Sequence, residues 1–332
     1  MADIATMLKD LINPQVLADM VSAKVENRVM ALPYAKIDTT LQGRAGDTIT
    51  VPRYGYTFGE AVEVAEGEDI PLRTLDTSTV QHTIKKIGIG GTITDEAILS
   101  GYGDPMGQIV HQMAIAISNK LDADTIDEVY TATTSYAAGK PLCYDAVVNA
   151  IDLFNEEINT EKVMFVNPKQ VTQLRLDENF ISADKYQSGV MLNGEIGRIC
   201  NSRIVPSRKV RLVSYVVDPS GSITIDAENI EEYQAKVDPS VTLKVGNKVK
   251  ELAAAAQYYV NPIIKLTHDS ETEDDFPALT MYVKRDTNVE TERIARSRKT
   301  EITGDKMYVV VLSDDSKVVL AKCLAQSAVA AG

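Results

Sequence analysis

The chain has little basic charge. Its 34 Lys and Arg are outnumbered by 47 Asp and Glu, giving a net charge of -13 and a pI near 4.8. Phosphate contacts need clustered Lys and Arg, so this balance argues against a dedicated nucleic-acid binder. Cysteine is scarce as well: Cys143, Cys200 and Cys323 lie far apart, without the paired spacing of zinc or disulfide frameworks, and are read as reduced and buried. Nowhere do about eighteen apolar residues stand together, and Asp3, Lys9 and Asp10 occupy the first turns where a signal peptide would be apolar. The chain therefore reads as neither secreted nor membrane-spanning. His82, His111 and His268 are the only histidines, each remote in sequence from any Cys or Ser with a nucleophile motif. Apolar residues are not lacking: 44% of 332 residues is enough for real cores, and the length fits about two domains.

The strongest periodic signal lies between Asp104 and about Ala132. Asp104 is a good N-cap, and Pro105 stands where a first-turn proline loses no hydrogen bond. Met106, Ile109, Val110, Met113, Ile117 and Leu121 recur at helical spacing and form one apolar stripe. Beyond Leu121 the large apolar residues, Ile126, Val129 and Tyr130, fall on the other side of the wheel together with Ile115, and Asp122, Asp124, Asp127 and Glu128 take the solvated positions. A helix that changes its buried face and runs roughly 40 Å suits a spine shared by two bodies.

Residues 1–40 read as an arm whose helix opens at Asn13 and Pro14. From Leu41 to Gly91 the period changes to two: Ile49 and Val51 alternate with threonines, and Val80, His82 and Ile84 alternate on the return leg. This is a long two-stranded excursion with an acidic tip at Glu60, Glu63, Glu66, Glu68 and Asp69. Such a ribbon is only marginally stable alone and must lie on something else. After Gly139 and Pro141 the pattern is mixed α/β. A helix is read from Asp145 to Ile158, then a buried strand Val163 to Val166, then a helix capped by Asn167 and opened by Pro168. Gly189 to Gly197 reads as a loop, and Val210 to Val217 as one strand. A charged helix at Glu228 to Gln234 and a strand at Val241 to Val245 follow, and the longer stretch 227–277 is read as holding an insertion. Leu279 to Lys284, Val289 to Arg296, Met307 to Leu312 and Lys317 to Leu320 read as strands of an antiparallel sheet.

No residue set here demands catalytic, cofactor or metal chemistry. The acids at 122–128 sit in helical sequence, without the glycine that a calcium loop needs. His268 with Asp269, Glu271, Glu273, Asp274 and Asp275 is the better candidate for a hydrated cation, and it supports the rival reading, a soluble metal-dependent enzyme using the loop 268–275. Gly88, Gly90 and Gly91 beside Lys85 and Lys86 are in the wrong order for a phosphate loop, so strand-end flexibility is their expected use. Arg293, Arg296, Arg298 and Lys299 form the densest basic cluster in an acidic chain, a natural landing point for the acidic tip of a neighbour at Glu63, Glu66, Glu68 and Asp69.

The order of arm, acidic-tipped excursion, spine, α/β body and terminal sheet resembles the major capsid proteins of tailed phages, the Hong Kong 97-like family. The resemblance covers nearly the whole chain. It is carried by Asn13-Pro14-Gln15-Val16, Gly46-Asp47-Thr48-Ile49-Thr50-Val51-Pro52, Asp95-Glu96-Ala97, Leu121-Asp122-Ala123-Asp124, Val166-Asn167-Pro168-Lys169-Gln170, Glu290-Thr291-Glu292-Arg293 and Asp314-Asp315-Ser316-Lys317-Val318-Val319. What it implies is an α+β Hong Kong 97-like capsid fold, with arm 1–40, extended loop 41–91, and a peripheral domain at 92–140 and 278–312 around the spine 104–132. An axial domain at 141–277, with the C-terminal strand and tail at 313–332, completes it. The implied function is structural and not enzymatic: a virion protein, assembling from the host cytoplasm into pentamers and hexamers of an icosahedral head around double-stranded DNA. Its implied partners are itself, a portal protein, scaffold or decoration proteins, and DNA without sequence-specific contacts; no membrane and no cofactor are implied.

Some members of that family join a loop lysine to a neighbour's asparagine. From Leu41 to Gln81 this chain has no lysine, so its loop offers no amine. Mature particles boiled in detergent are expected to run as one band near 36.2 kDa; a ladder of covalent rings would refute this.

Overall fold

β4 (Lys85–Thr94) runs directly into the short helix α1 (Asp95–Ser100), and the spine α2 (Pro105–Val129) follows. The computed structural model describes residues 20–21, 24, 29–43, 46, 48–55, 70, 72, 76–100, 105–156, 160–177, 198–266 and 277–325. Asp104, most of the arm, the tip 56–69 and the loops 178–197 and 267–276 lie outside them.

α2 rests on a four-stranded sheet of order β1 (Lys36–Asp38), β14 (Leu279–Ile294), β15 (Lys299–Leu312), β4. The two segments read as separate strands at 279–284 and 289–296 are one strand. It stays continuous because its irregularities, between Val283 and Asn288, are absorbed as bulges against β15. Glycines let the helix approach closely. A Cβ on Gly91 would stand 3.0 Å from Ile109 Cγ2, and one on Gly304 2.7 Å from Met113 Cε. Of the β4 glycines, Gly91 thus serves helix packing and Gly90 a close approach to Thr303 and Ile302 of β15, in place of the strand-end flexibility that their spacing implies.

The second sheet has seven strands. β5 (Ser135–Pro141), β16 (Val318–Leu324), β13 (Tyr258–Lys265), β6 (Lys162–Val166), β8 (Ser202–Pro206) and β7 (Arg198–Ile199) lie in that order, and β9 (Arg211–Val213) pairs the other end of β13. All five residues of β6 are buried, as a strand covered on both faces requires. One face packs α3 (Tyr144–Asp152) and α4 (Pro168–Arg175) in a core containing Val147, Ile151, Val171 and Leu174. The other belongs to the main core, with Phe165, Val260 and Leu320 joining Leu121, Ile126 and Val129 of α2. Asn167 accepts from Lys169 N–H at 3.1 Å and Pro168 opens α4, so the sequence cap is realised. α3 stops at Asp152, short of Ile158, with Asn155 in a left-handed conformation just beyond.

The excursion is the two-stranded pair β2 (Thr48–Gly55) and β3 (Asp76–Thr83), with Ile49 opposite His82 and Val51 opposite Val80. Its base rests on this subunit: Ile49 and Ile84 pack on Val309 and Val311. The segment 210–217, read as one strand, divides at Ser214 into β9 and β10 (Tyr215–Val217). β10 enters a three-stranded sheet with β12 (Lys248–Glu251) and β11 (Ile223–Thr224). Residues 241–245 form no strand; β12 begins at Lys248, after a turn at Gly246 with φ +93°. α5 (Ile230–Gln234) covers this small sheet.

Val110, Met113, Ile117 and Leu121 are buried, and Met106 and Ile109 pack against them from the rim. Placing a carboxylate at Met113 or Ile117 costs on the order of several kcal/mol, comparable to a domain's stability. Met113→Asp and Ile117→Asp are expected to abolish soluble protein. Asp124→Asn keeps an acceptor for the Tyr308 hydroxyl, at 2.7 Å from Asp124, and should lower the melting temperature by only a few degrees. Equal soluble yields for all three variants would refute this assignment.

Candidate functional site

Of the acids of α2 only Asp127 keeps the solvated position read for all four. Asp122 is buried and accepts from the backbone N–H groups of Met30 and Ala31 at 3.1 and 2.9 Å. It fastens the end of the arm to the spine by supplying acceptors to amides that would otherwise be buried unpaired. Asp124 accepts from Tyr308 Oη and pairs with Lys120 at 2.8 Å; burial and then the Asp124 carboxylate raise the Tyr308 pKa. Asp127 is exposed and pairs with Arg211 at 3.0 Å, and Glu128 accepts weakly from Leu312 N–H at 3.4 Å. A helical wheel sees only its own helix and so places all four toward solvent. Their partners are up to 184 residues away.

The basic cluster is divided. Arg293 clamps Asp95, at the first turn of α1, with two bonds of 3.2 and 2.7 Å, and Lys299 pairs with Glu301 at 2.6 Å. Arg296 and Arg298 lie exposed in the turn between β14 and β15, and among the described residues neither has an ion-pair partner. Arg298 adopts φ +45°, and its carbonyl accepts from Asp95 N–H at 3.0 Å. The tip residues Glu63, Glu66, Glu68 and Asp69 lie outside the described residues, as do His268 and the acids 269–275. Among the described residues no three His, Cys, Asp or Glu converge as a metal site would require. Cys323 is buried, its thiol pushed up to about 12 chiefly by burial, whereas Cys143 and Cys200 are only half-buried, contrary to the expectation of three buried thiols.

Two polar centres carry no sequence signal. Glu156 accepts from the buried Lys162 at 2.6 Å and from Lys265 at 2.9 Å, joining the loop after α3 to two strands. Asp238 accepts from Lys322 at 2.7 Å, Tyr258 Oη at 2.6 Å and Ser240. Burial pushes the Asp238 carboxyl up, but these donors outweigh it and hold the group at about 2. Asp238 ties the small three-stranded module to β13 and β16. A lone Asp followed by Pro and Ser reads only as a turn, because its partners lie 20 and 84 residues away.

A family model described as phage capsid protein matches residues 77–319. The major capsid protein of Staphylococcus phage phiMR11 is 31% identical over 316 residues, covering 95% of this chain and 94% of that one. Among solved structures, the capsid of cyanophage P-SCSP1u superposes with a TM-score of 0.60 at 11% identity, over 86% of this chain and 85% of that one. The capsid of a native GTA particle does so with a TM-score of 0.58 at 12% identity, over 97% and 99%. The chain belongs to the phage capsid protein family, a structural component of the virion with the Hong Kong 97-like fold.

The depressed pKa of Asp238 fixes the sign of a pH effect. Its stabilisation is complete above the ordinary carboxyl value of 3.8 and is lost as pH falls through about 2. Amide exchange across residues 214–252 is expected to stay slow at pH 4 and to rise sharply near pH 2. In Asp238→Asn, which leaves Lys322 without a counter-charge, exchange should already be fast at pH 7; unchanged protection in that variant would remove Asp238 from this role.

Proposed function

We propose that the chain is the repeating subunit of an icosahedral phage head, assembling as pentamers and hexamers around double-stranded DNA. The carrying observation is the β2–β3 ribbon. Among the described residues it is held at its base, and Ile70 and Leu72, ahead of β3, are 73% and 96% exposed. Apolar side chains on a marginal ribbon call for a neighbour that covers them. In this reading segments 92–140 and 278–312 form the peripheral body around α2 and the four-stranded sheet, to which β4 also lends residues from Lys85, while β5 crosses to the other sheet. The seven-stranded sheet and its module are the axial body, with segments 141–277 and 313–332. An acidic wall that holds DNA without sequence contacts, a portal partner, and scaffold or decoration proteins belong to the same reading.

The ribbon tip, with Glu63, Glu66, Glu68 and Asp69, is assigned to a neighbour's β14–β15 turn. Arg296 and Arg298 are the receiving pair there, since Arg293 and Lys299 are engaged within their own subunit. Each exposed pair contributes only about 0.2 to 1 kcal/mol, so the effect comes from repetition over every interface. Purified protein is expected to form rings or shells, and a stable monomer would overturn the assembly reading. Glu66→Lys with Glu68→Lys should impair assembly, and adding Arg296→Glu with Arg298→Glu should partly restore it. A fourfold variant no better than the twofold one would place the tip elsewhere.

A further inference from the structure

Residues 214–252 form a unit with its own core of Ile225, Val237, Leu243 and Val249. The chain enters and leaves at one point, where Leu252 N–H donates to the Ser214 carbonyl at 2.8 Å. The unit has two layers, α5 lying on the inner face of the sheet of order β10, β12, β11. Strand alternation fixes the outer face of that sheet. Val249 points into the core, so Lys248 and Lys250 point out, and the register sets Thr224 and Val216 beside them. The turn 244–247, clamped to Ile225 by backbone bonds of 2.8 Å, adds Lys244 and Val245 at the rim. Val216 and Val245 are 43% and 64% exposed. Among the described residues none of the three lysines forms an ion pair, although Lys250 stands close enough to act electrostatically on the exposed Asp218, which also accepts from Ser220 at 2.8 Å.

The opposite layer has the opposite sign. Ile230 and Tyr233 of α5 face the core, which turns Glu231 and Glu232 outward beside the exposed Asp226 and Glu228. Glu232 is taken by Lys236, whereas Asp226, Glu228 and Glu231 form no ion pair among the described residues. Three lysines with no ion pair among the described residues, and two exposed valines, thus back onto three carboxylates likewise without one, across one thin two-layer body. A surface that merely kept the chain soluble would mix its signs. Segregation onto opposite faces is what a head-to-tail contact between identical copies needs, because each copy then presents the complement of its own other side.

We propose that this module is a ring contact, the lysine face of one copy docking on the acidic α5 face of the next, with Val216 and Val245 at the centre of the contact. The proposal rests on the assembly reading above and adds to it which faces meet and in which sense.

The test uses three full-length variants of exposed residues, compared with the unmodified chain by native mass spectrometry at low salt. K248E/K250E has two acidic faces and E228K/E231K has two basic ones. Each alone should need at least about tenfold more protein to form rings. A 1:1 mixture should recover assembly, but a head-to-tail ring that must alternate closes only with an even number of copies, so hexamers of 3:3 composition appear and pentamers do not. The fourfold reversal in one chain should recover both ring sizes, which also shows that the reversed residues are compatible with folding. Either single-sign variant assembling like the unmodified chain overturns the proposal. So does recovery by neither the mixture nor the fourfold variant. If the unmodified chain itself forms no rings, the assembly reading falls, a result distinct from both.

Discussion

The seating of α2 on the glycines of β4 and β15 is the contact on which the rest of the subunit depends. Ile109 over Gly91 and Met113 over Gly304 bring the helix close enough for its N-terminal half to share a core with β14 and β15. Any side chain at those glycines would meet the helix first. Once that half is fixed, the helix direction carries its C-terminal half to the seven-stranded sheet. There Tyr130 Oη donates to the Val260 carbonyl at 3.1 Å and accepts from Arg211 N–H at 2.8 Å. One rigid rod therefore sets the relation between two sheets that share no strand.

The carboxylates show how an acidic chain uses its excess. Asp122, Asp124 and Asp238 act as acceptors for backbone amides, tyrosine hydroxyls and a half-buried lysine. An ionised acceptor makes stronger bonds than a neutral one, and a buried amide left without any partner is costly. Each of these acids joins segments that the chain order keeps far apart: arm to spine, spine to sheet, module to sheet. The chain's negative charge is thus partly consumed inside the subunit. What remains outside is sorted: among the described residues, arginines without an ion pair at the β14–β15 turn, and lysines and carboxylates without one on opposite faces of the module.

Weak exposed pairs decide little in one molecule, but in the proposed shell closed symmetry repeats every pair around each ring and over every ring. A wall built this way holds its geometry through many small terms and responds to salt as a whole.

Residues whose meaning is local were legible in order. Asn167 and Pro168 start a helix where they stand before an apolar periodic run, the stripe from Met106 to Leu121 is helical by spacing, and the alternation at Ile49, Val51, Val80 and His82 marks a two-stranded ribbon. Because those signals come in one sequence, the family resemblance was legible too. The tertiary structure alone decided which polar residues are buried, since a wheel or a strand pattern cannot see a partner 84 or 184 residues away. It split Val210 to Val217 between two sheets, fused two apparent strands into β14, and made Gly91 of β4, with Gly304 of β15, a seat for the spine. Periodicity states that a face is apolar or charged. Only packing determines what that face meets, because burial is a property of the partner as much as of the residue.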